Sequence, residues 1–332
     1  MARLNFCMLK SRSRDFRRLW SYSTGFYAVW VAHVGRRMGL LDILSNEPMT
    51  AQELATSSRL FLPAVETWCS AAAAYRFVMK GPGGKLRLAS GMKSLLTDKK
   101  HPDYLGGQFS YLALRSLEYG ALDDLFRSGK TKSMSNTFDA IEEATHWDHY
   151  SLLRAIRKDK RLHRLLTNRC NFADIGCGTG SLIVKLCKEY PNSVYHGIDP
   201  SDVALLTARQ NLNEDQATIE KMKAEEMHFS KEFDIVYLGE SLYASSNKQA
   251  VLTNCYRSLK EAGTVIIIEG LVPARMVTES DLIISGMQLD FALQGYKFMT
   301  KRELGGLLKT AGFKKVAFNP LGGAVFLTCA RK

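Results

Sequence analysis

From about residue 171 onward, short apolar runs alternate with amphipathic stretches. The runs predict strands over 172–175, 194–198, 218–222, 233–238 and 264–269, with helices near 181–190, 202–213 and 247–260. Alternation of this kind is the mark of a parallel sheet covered on both faces by helices. A further helix over 303–311 follows, and runs at 313–318 and 324–328 read as a closing antiparallel pair.

The first half is patterned differently. Residues 25–44 have helical periodicity, with Val31, Val34, Met38 and Leu41 on one face and Pro48 just beyond. Thr50 is placed as an N-cap, and Glu53 three residues on completes a capping box. Pro63 opens the next helix, which carries Val65, Trp68 and four alanines towards Val78. Gly81 to Gly84 form a turn, and 86–88 read as one strand of a small wing. Helices over about 104–126 and 138–166 complete this half, so the chain divides into a helical domain over 1–140 and a sheet domain over 141–332.

Helix, turn, helix and wing is a plan used to read DNA. A reading helix needs Arg, Lys, Asn or Gln on its outer face. The second helix here presents Glu66, Thr67, Ser70 and Arg76 beside its alanines, so it is a packing helix and nucleic acid is not its expected partner. The net charge of +12 reopens the question, because the whole basic excess lies in the first 170 residues. A solvated surface around a dimerisation domain is the favoured account of it. In the first 20 residues six arginines and lysines face one acid, Asp15, which suits a basic arm on a partner subunit or an organellar targeting segment.

Composition narrows the class. At 46% hydrophobic and 23% charged residues, the chain matches an ordinary globular protein, and no apolar run reaches the ~20 residues of a membrane span. Seven cysteines without CxxC spacing suggest neither a disulfide framework nor a metal site, and point to the cytoplasm.

The chemistry begins at the first sheet-domain strand. It ends at Asp174-Ile175, and glycines stand at 176, 178 and 180 before a helix starts at Ser181. Glycines are needed where backbone must turn tightly and let a ligand lie against it. A dinucleotide loop would show GxGxxG, with pyrophosphate on the helix N-terminus. Here the spacing is GxGxG. Asp199 ends the next strand, where a carboxylate can accept hydrogen bonds from both hydroxyls of a ribose. Nicotinamide-binding folds use the same device, so Asp199 discriminates only together with the loop.

An acid two residues before Gly176, followed by Gly178 and Gly180, resembles motif I of the class I S-adenosylmethionine-dependent methyltransferases. Beyond the loop, almost the whole chain is similar to the two-domain small-molecule O-methyltransferases: residues 32–44 to their first conserved helix, 50–88 to their winged-helix dimerisation domain, 266–269 with Pro273 to their fifth strand, and 300–313 to the helix before their last strands. The resemblance implies an α/β fold, a Rossmann-like domain with a seven-stranded sheet behind an N-terminal helical, winged-helix-like domain. It also implies a homodimer, a small-molecule acceptor, no metal, and S-adenosylmethionine as methyl donor, with S-adenosylhomocysteine as product. Asp174, Gly176, Gly178, Gly180 and Asp199 would hold the cofactor, and Glu225 would reach its adenine, since Lys223 occupies the family's usual acidic position.

The departures bear on catalysis. In that family a histidine after the fourth strand takes the acceptor's proton, supported by two glutamates. Tyr243 falls at the histidine position, Glu269 matches the first glutamate, and Phe298 falls near the second. A phenol with an ordinary pKa near 10 is a poor base. Tyr243 therefore orients an already acidic acceptor, or the acceptor is a carbon or nitrogen nucleophile, or His146, His149 or His228 supplies the base. Acceptor walls are expected from Met287, Asp290, Phe291, Leu293, Tyr296 and Phe298, with Phe109, Tyr111 and Trp147 opposite. The rival expectations are a nucleic-acid or protein methyltransferase using the basic half, and a cofactor-binding relative without transfer.

Overall fold

A computed structural model describes residues 13–132, 141, 143–212, 215–275 and 281–332. The basic arm up to residue 12 and Phe138 lie outside the described residues. The chain forms two compact units, Met1–Glu118 with Asn136–Trp147, and Tyr119–Ser135 with Asp148–Lys332. Among the described residues, 119–132 cluster with the sheet, so the division is more interleaved than a single cut at 140.

In the helical unit, α1 (Arg14–Arg37) starts at Ser13, whose hydroxyl accepts the Phe16 N–H at 3.2 Å. It stops where Gly39 takes a left-handed φ of 71°, and α2 (Leu40–Asn46) follows. The single helix expected over 25–44 is thus two, and of its expected face Val31 and Leu41 pack into the core while the other two positions do not. Val34 and Met38 are exposed, while Ala32, His33 and Gly35 are buried. The reason is close docking on α4 (Leu62–Ala74): a Cβ on Gly35 would stand 2.5 Å from the Trp68 ring, and the Trp68 indole N–H donates to the Val31 carbonyl at 2.9 Å. The turn at Gly39 resets the helical phase, so Leu41 packs with Leu40 and Leu44 instead.

Between these lies α3 (Ala51–Ser58), with the Thr50–Glu53 capping box formed in both directions. The wing is an antiparallel pair, β1 (Val78–Lys80) and β2 (Leu86–Leu88). Val78 therefore begins a strand rather than ending α4. Next come α5 (Met92–Leu96) and α6 (Gly106–Ser116). The helix expected over 104–126 ends at Ser116, and α7 (Leu122–Ser128) belongs to the second unit. Arg36, unremarked in the sequence, ties the helical unit together through the Gly106 carbonyl, Ser110, Tyr104 and Glu143.

The sheet unit takes up the chain at Asp148 within α8 (His146–Lys158), and α8 with α9 (Lys160–Asn168) replaces the one long helix expected to Leu166. Asp159 interrupts it, its carboxylate accepting the N–H groups of Arg161 and Leu162. The strands are β3 (Asn171–Ile175), β4 (Val194–Asp199), β5 (Ala217–Lys221), β6 (Phe233–Gly239), β7 (Leu259–Val272), β9 (Lys314–Gly322) and β10 (Val325–Arg331), in the order β5-β4-β3-β6-β7-β10-β9. Two-residue β8 (Met299–Thr300) pairs with the end of β7. β3 to β7 are parallel and β10 is antiparallel to β7, so the expected seven strands form the main path of the sheet and β8 makes an eighth. The intervening helices α10 (Ser181–Glu189), α11 (Asp202–Asn211), α12 (Lys248–Ser258) and α14 (Lys301–Ala311) start and stop close to the expected positions, while α13 (Leu282–Leu293) is a helix that the pattern did not predict.

Candidate functional site

Strand order reverses direction between β3 and β6, and such a switch point opens a crevice outside the C-terminal strand ends. The glycine loop leaves β3 there, with Gly176, Gly178 and Gly180 all at positive φ. The Gly176 and Cys177 N–H groups donate to the Ile198 carbonyl, which pins the turn to β4. A Cβ on Gly176 would lie 2.7 Å from that of Ser241, whose hydroxyl donates to the Ile175 carbonyl at 2.8 Å. The loops after β3 and β6 are thus stitched together by a serine that no motif marked. Around Gly178, by contrast, a Cβ would meet nothing within 4 Å. The buried Thr179 hydroxyl beside it has no hydrogen-bond partner among the described residues. An open backbone face and an orphaned hydroxyl fit a loop built to receive a polar ligand.

Asp199 stands at the tip of β4, as expected. Its Oδ2 accepts the Gly178 N–H at 3.0 Å and its Oδ1 the Ser201 N–H at 2.8 Å. Each oxygen retains a lone pair for a further donor. Burial raises its pKa, against these two bonds. Asp174 lies beneath, only 3% exposed, and burial followed by the charge of Asp199 pushes its carboxyl up to about 8. Glu225 follows β5 in a short turn, Ala224–Glu226. One of its oxygens accepts the Ser246 N–H at 2.9 Å and the Ser246 hydroxyl at 3.1 Å. That oxygen anchors the loop after Tyr243, and only the remaining capacity of Glu225 is free for an adenine.

Tyr243 sits in a turn directly after β6, Leu242–Ala244, and donates its backbone N–H to Glu269 Oε1 at 3.0 Å. Its ring meets Phe291 edge-on at 4.5 Å, with Tyr296 and Phe298 each at 5.8 Å. Phe291 and Phe298 pack at 4.2 Å. The structure therefore brings together most of the acceptor walls expected from this unit. Met287 is half-buried on α13, Leu293 is buried, and Asp290 is 1% exposed with its Oδ2 accepting from Gln294 at 3.2 Å. Phe109, Tyr111 and Trp147 belong to the helical unit, where Phe109 packs on Phe77.

The candidate replacement bases are placed elsewhere or engaged. The His149 ring accepts from Lys185 at 3.0 Å. His228 is exposed and stacks on Phe229, which packs against Phe233 at the start of β6, the end opposite Tyr243. His146 lies in the helical unit, edge-on to Tyr104. Three groups that sequence reasoning missed do stand near Glu269: Asp148 on α8, Tyr237 on β6, and Glu240 just after β6. Charge interactions link Asp148 and Glu240 to Glu269, and burial raises the pKa of each. Burial pushes Glu269 up to about 8. None of the three carried a motif, because their coupling to Glu269 arises from tertiary packing between elements distant in sequence.

Residues 173–265, which run from β3 into β7, match the family model described as a methyltransferase domain. That part of the sheet unit is therefore similar to a methyltransferase domain. The open Gly178 face, the Thr179 hydroxyl and the spare acceptor capacity of Asp199 would suit a polar, hydroxyl-bearing ligand such as a nucleoside. The chain is 24% identical over 127 residues to the malonyl-[acyl-carrier protein] O-methyltransferase of Priestia megaterium, covering 37% of this chain and 46% of the relative. It thus spans under half the length of that curated relative. Solved structures cover far more. Human N-acetylserotonin methyltransferase, solved in complex with the cofactor, superposes with a TM-score of 0.72 at 21% identity over 97% of this chain and 99% of the other. An O-methyltransferase-like protein of Nostoc punctiforme reaches 0.76 at 15% identity over 97% and 100%. The chain therefore shares the fold of these solved structures throughout its length.

Proposed function

We propose that this protein transfers a methyl group from S-adenosylmethionine to a small aromatic or lipophilic acceptor, with an oxygen acceptor favoured and nitrogen or carbon acceptors open. The observation that carries this reading is the aromatic group of Tyr243, Phe291, Tyr296 and Phe298, with Asp290 beside it, set directly after the strand next to the glycine loop. Walls of this kind suit a planar, apolar molecule held by few polar groups. The solved relative that acts on N-acetylserotonin, by its name, is a methyltransferase of a small aromatic compound.

The bound cofactor supplies a methyl group already activated by its sulfonium. What remains for the chain is alignment and exclusion of water. The backbone at Gly176, Gly178 and Gly180, with Asp174 below, would shape the cofactor cradle. Asp199 would take the ribose hydroxyls, and Glu225 the adenine amino group. Glu269 holds the Tyr243 turn through its backbone N–H, which fixes the ring that would orient the acceptor. Met287, Asp290, Phe291 and Phe298 would contact the acceptor. For an oxygen acceptor, the O–C bond forms as the S–C bond breaks, and the hydroxyl proton leaves to water or to a nearby carboxylate.

A homodimer is part of the proposal. On α1, Leu19, Trp20, Tyr22, Phe26 and Tyr27 are all more than half exposed, an apolar face suited to a second copy of the chain. Cytoplasmic location is consistent with six unpaired cysteines among the described residues. No helix of the described residues is long and apolar enough to cross a membrane.

The test is incubation with methyl-labelled cofactor and fractionated small-molecule extracts, read as label in a product one methylene heavier. Label appearing only in nucleic acid or protein would overturn the small-molecule assignment. Tight S-adenosylhomocysteine binding without any labelled product would favour a binding protein without transfer.

A further inference from the structure

The loop between β6 and α12 touches three parts of the candidate site. At its start, the Ser241 hydroxyl donates to the Ile175 carbonyl at 2.8 Å, and its Cβ lies 2.7 Å from where a Cβ on Gly176 would stand. In the middle, the Tyr243 N–H donates to Glu269 Oε1 at 3.0 Å, and the Tyr243 ring meets Phe291 at 4.5 Å. At its end, the N–H and the hydroxyl of Ser246 donate to Glu225 Oε1 at 2.9 and 3.1 Å. One short loop thus joins the glycine turn, the aromatic wall and the acid set for an adenine.

The bonds within and beside the loop make it a connected bar. The Ala244 N–H donates to the Ser241 carbonyl at 3.3 Å and the Ser245 N–H to the Leu242 carbonyl at 3.1 Å, which closes a tight turn around Tyr243. Leu242 is fully buried in the sheet-unit core. Asn247 then caps α12, its side chain accepting the Ala250 N–H at 3.0 Å. Further along α12, Asn254 donates to the carbonyls of Ala224 at 3.2 Å and Glu225 at 2.8 Å. The turn that carries Glu225 is therefore locked to α12, and α12 to the loop. Yet Ala244, Ser246 and Asn247 are exposed, so hydrogen bonds rather than packing hold this half of the bar. Segments held in that way open most readily. A ligand that orders such a segment at its two ends lowers the entropic cost of using its middle.

We propose that the loop from Ser241 to Asn247 couples the two halves of the site. Cofactor held by the glycine turn and Glu225 stiffens the loop from both ends, and so fixes the Tyr243 ring against Phe291 and Phe298. Acceptor binding is thereby completed only once the cofactor is in place. Ser241 and Ser246 are positioning residues that act through the loop and not on the reacting atoms. This coupling rests on the methyl-donor reading of the glycine turn and of Glu225.

Amide hydrogen exchange of the intact protein, with and without saturating S-adenosylhomocysteine, tests the coupling. Binding is expected to slow exchange at residues 174–182, where the ligand would lie, and also by about tenfold at 241–247 and at 287–298 of the aromatic wall. In the double variant Ser241→Ala with Ser246→Ala, the slowing at 174–182 remains and that at 287–298 vanishes. Each single alanine variant loses part of it, and Ser246→Thr, which keeps a hydroxyl, behaves as the wild type. A merely structural role for the serines would speed exchange at 287–298 equally with and without ligand, and leave the ratio unchanged. If the double variant no longer binds, the two single variants decide. Slowing at 287–298 that persists in the alanine variants overturns the coupling, as does its absence in wild-type protein whose glycine turn is protected. Failure of the wild-type protein to bind S-adenosylhomocysteine overturns instead the cofactor reading on which the coupling depends.

Discussion

Asp199 Oδ2 accepts the backbone N–H of Gly178 at 3.0 Å, so the carboxylate at the tip of β4 also shapes the glycine loop that leaves β3. Asp199→Ala therefore removes a ribose acceptor and loosens the loop at once. Affinity for S-adenosylhomocysteine is expected to fall by about a hundredfold, since hydrogen bonds to a charged group contribute about 1.5–3 kcal/mol each. Gly178→Arg blocks the one open face of the loop and is expected to abolish binding. Unchanged affinity in both variants, measured by calorimetry, would remove the cofactor assignment.

Tyr243 engages Glu269 through its backbone, and its ring through aromatic contacts. Tyr243→Phe preserves both and is expected to retain measurable methyl transfer. Tyr243→Ala forfeits ring contacts of about 0.5–1.5 kcal/mol each and is expected to raise the KM for the acceptor with little effect on cofactor binding. Complete loss of turnover in the phenylalanine variant, with cofactor binding intact, would make the hydroxyl the essential base.

Burial, and then the charge of Asp199, holds the Asp174 carboxyl up at about 8. In the fold it keeps a proton that the unfolded chain has already released above the ordinary carboxylate range. Its contribution is thus fully present at low pH and is lost as pH rises through about 8. The ligand-free protein is expected to melt at a lower temperature near pH 9 than near pH 6, and Asp174→Asn to flatten that difference. Thermal melts across this range decide; an unchanged slope in the variant would assign the pH dependence elsewhere.

Arg36 has a side chain only 12% exposed and pairs with Glu143 at 2.6 Å while also donating to Gly106, Ser110 and Tyr104. Arg36→Ala is expected to destabilise the helical unit by about 2 kcal/mol. That is less than the ~3–5 kcal/mol of a fully buried pair, because Glu143 keeps Lys99 as a partner. Urea denaturation followed by tryptophan fluorescence measures it, and a loss below about 0.5 kcal/mol would reduce the network to surface decoration.

Elements whose causes are local were legible in the chain itself. The Thr50–Glu53 box, the GxGxG turn, Asp199 at its strand tip and the alternation of strands and helices all depend on residues within a few positions of one another, so pattern alone carried them. The same holds for the cofactor. Long-range packing decided the rest. The buried face of α1 follows Trp68 and Gly35 rather than its own periodicity, and Gly39 breaks a helix whose apolar pattern runs on. At the site, the β3–β6 switch point sets Ser241 against Gly176, and the ends of β6 and β7 converge on the buried acids. Asp148 and Glu269 are far apart in the chain, and each alone reads as an ordinary acid. Only the tertiary structure buries both and couples their charges, because burial and charge coupling depend on what surrounds a group rather than on what adjoins it in sequence.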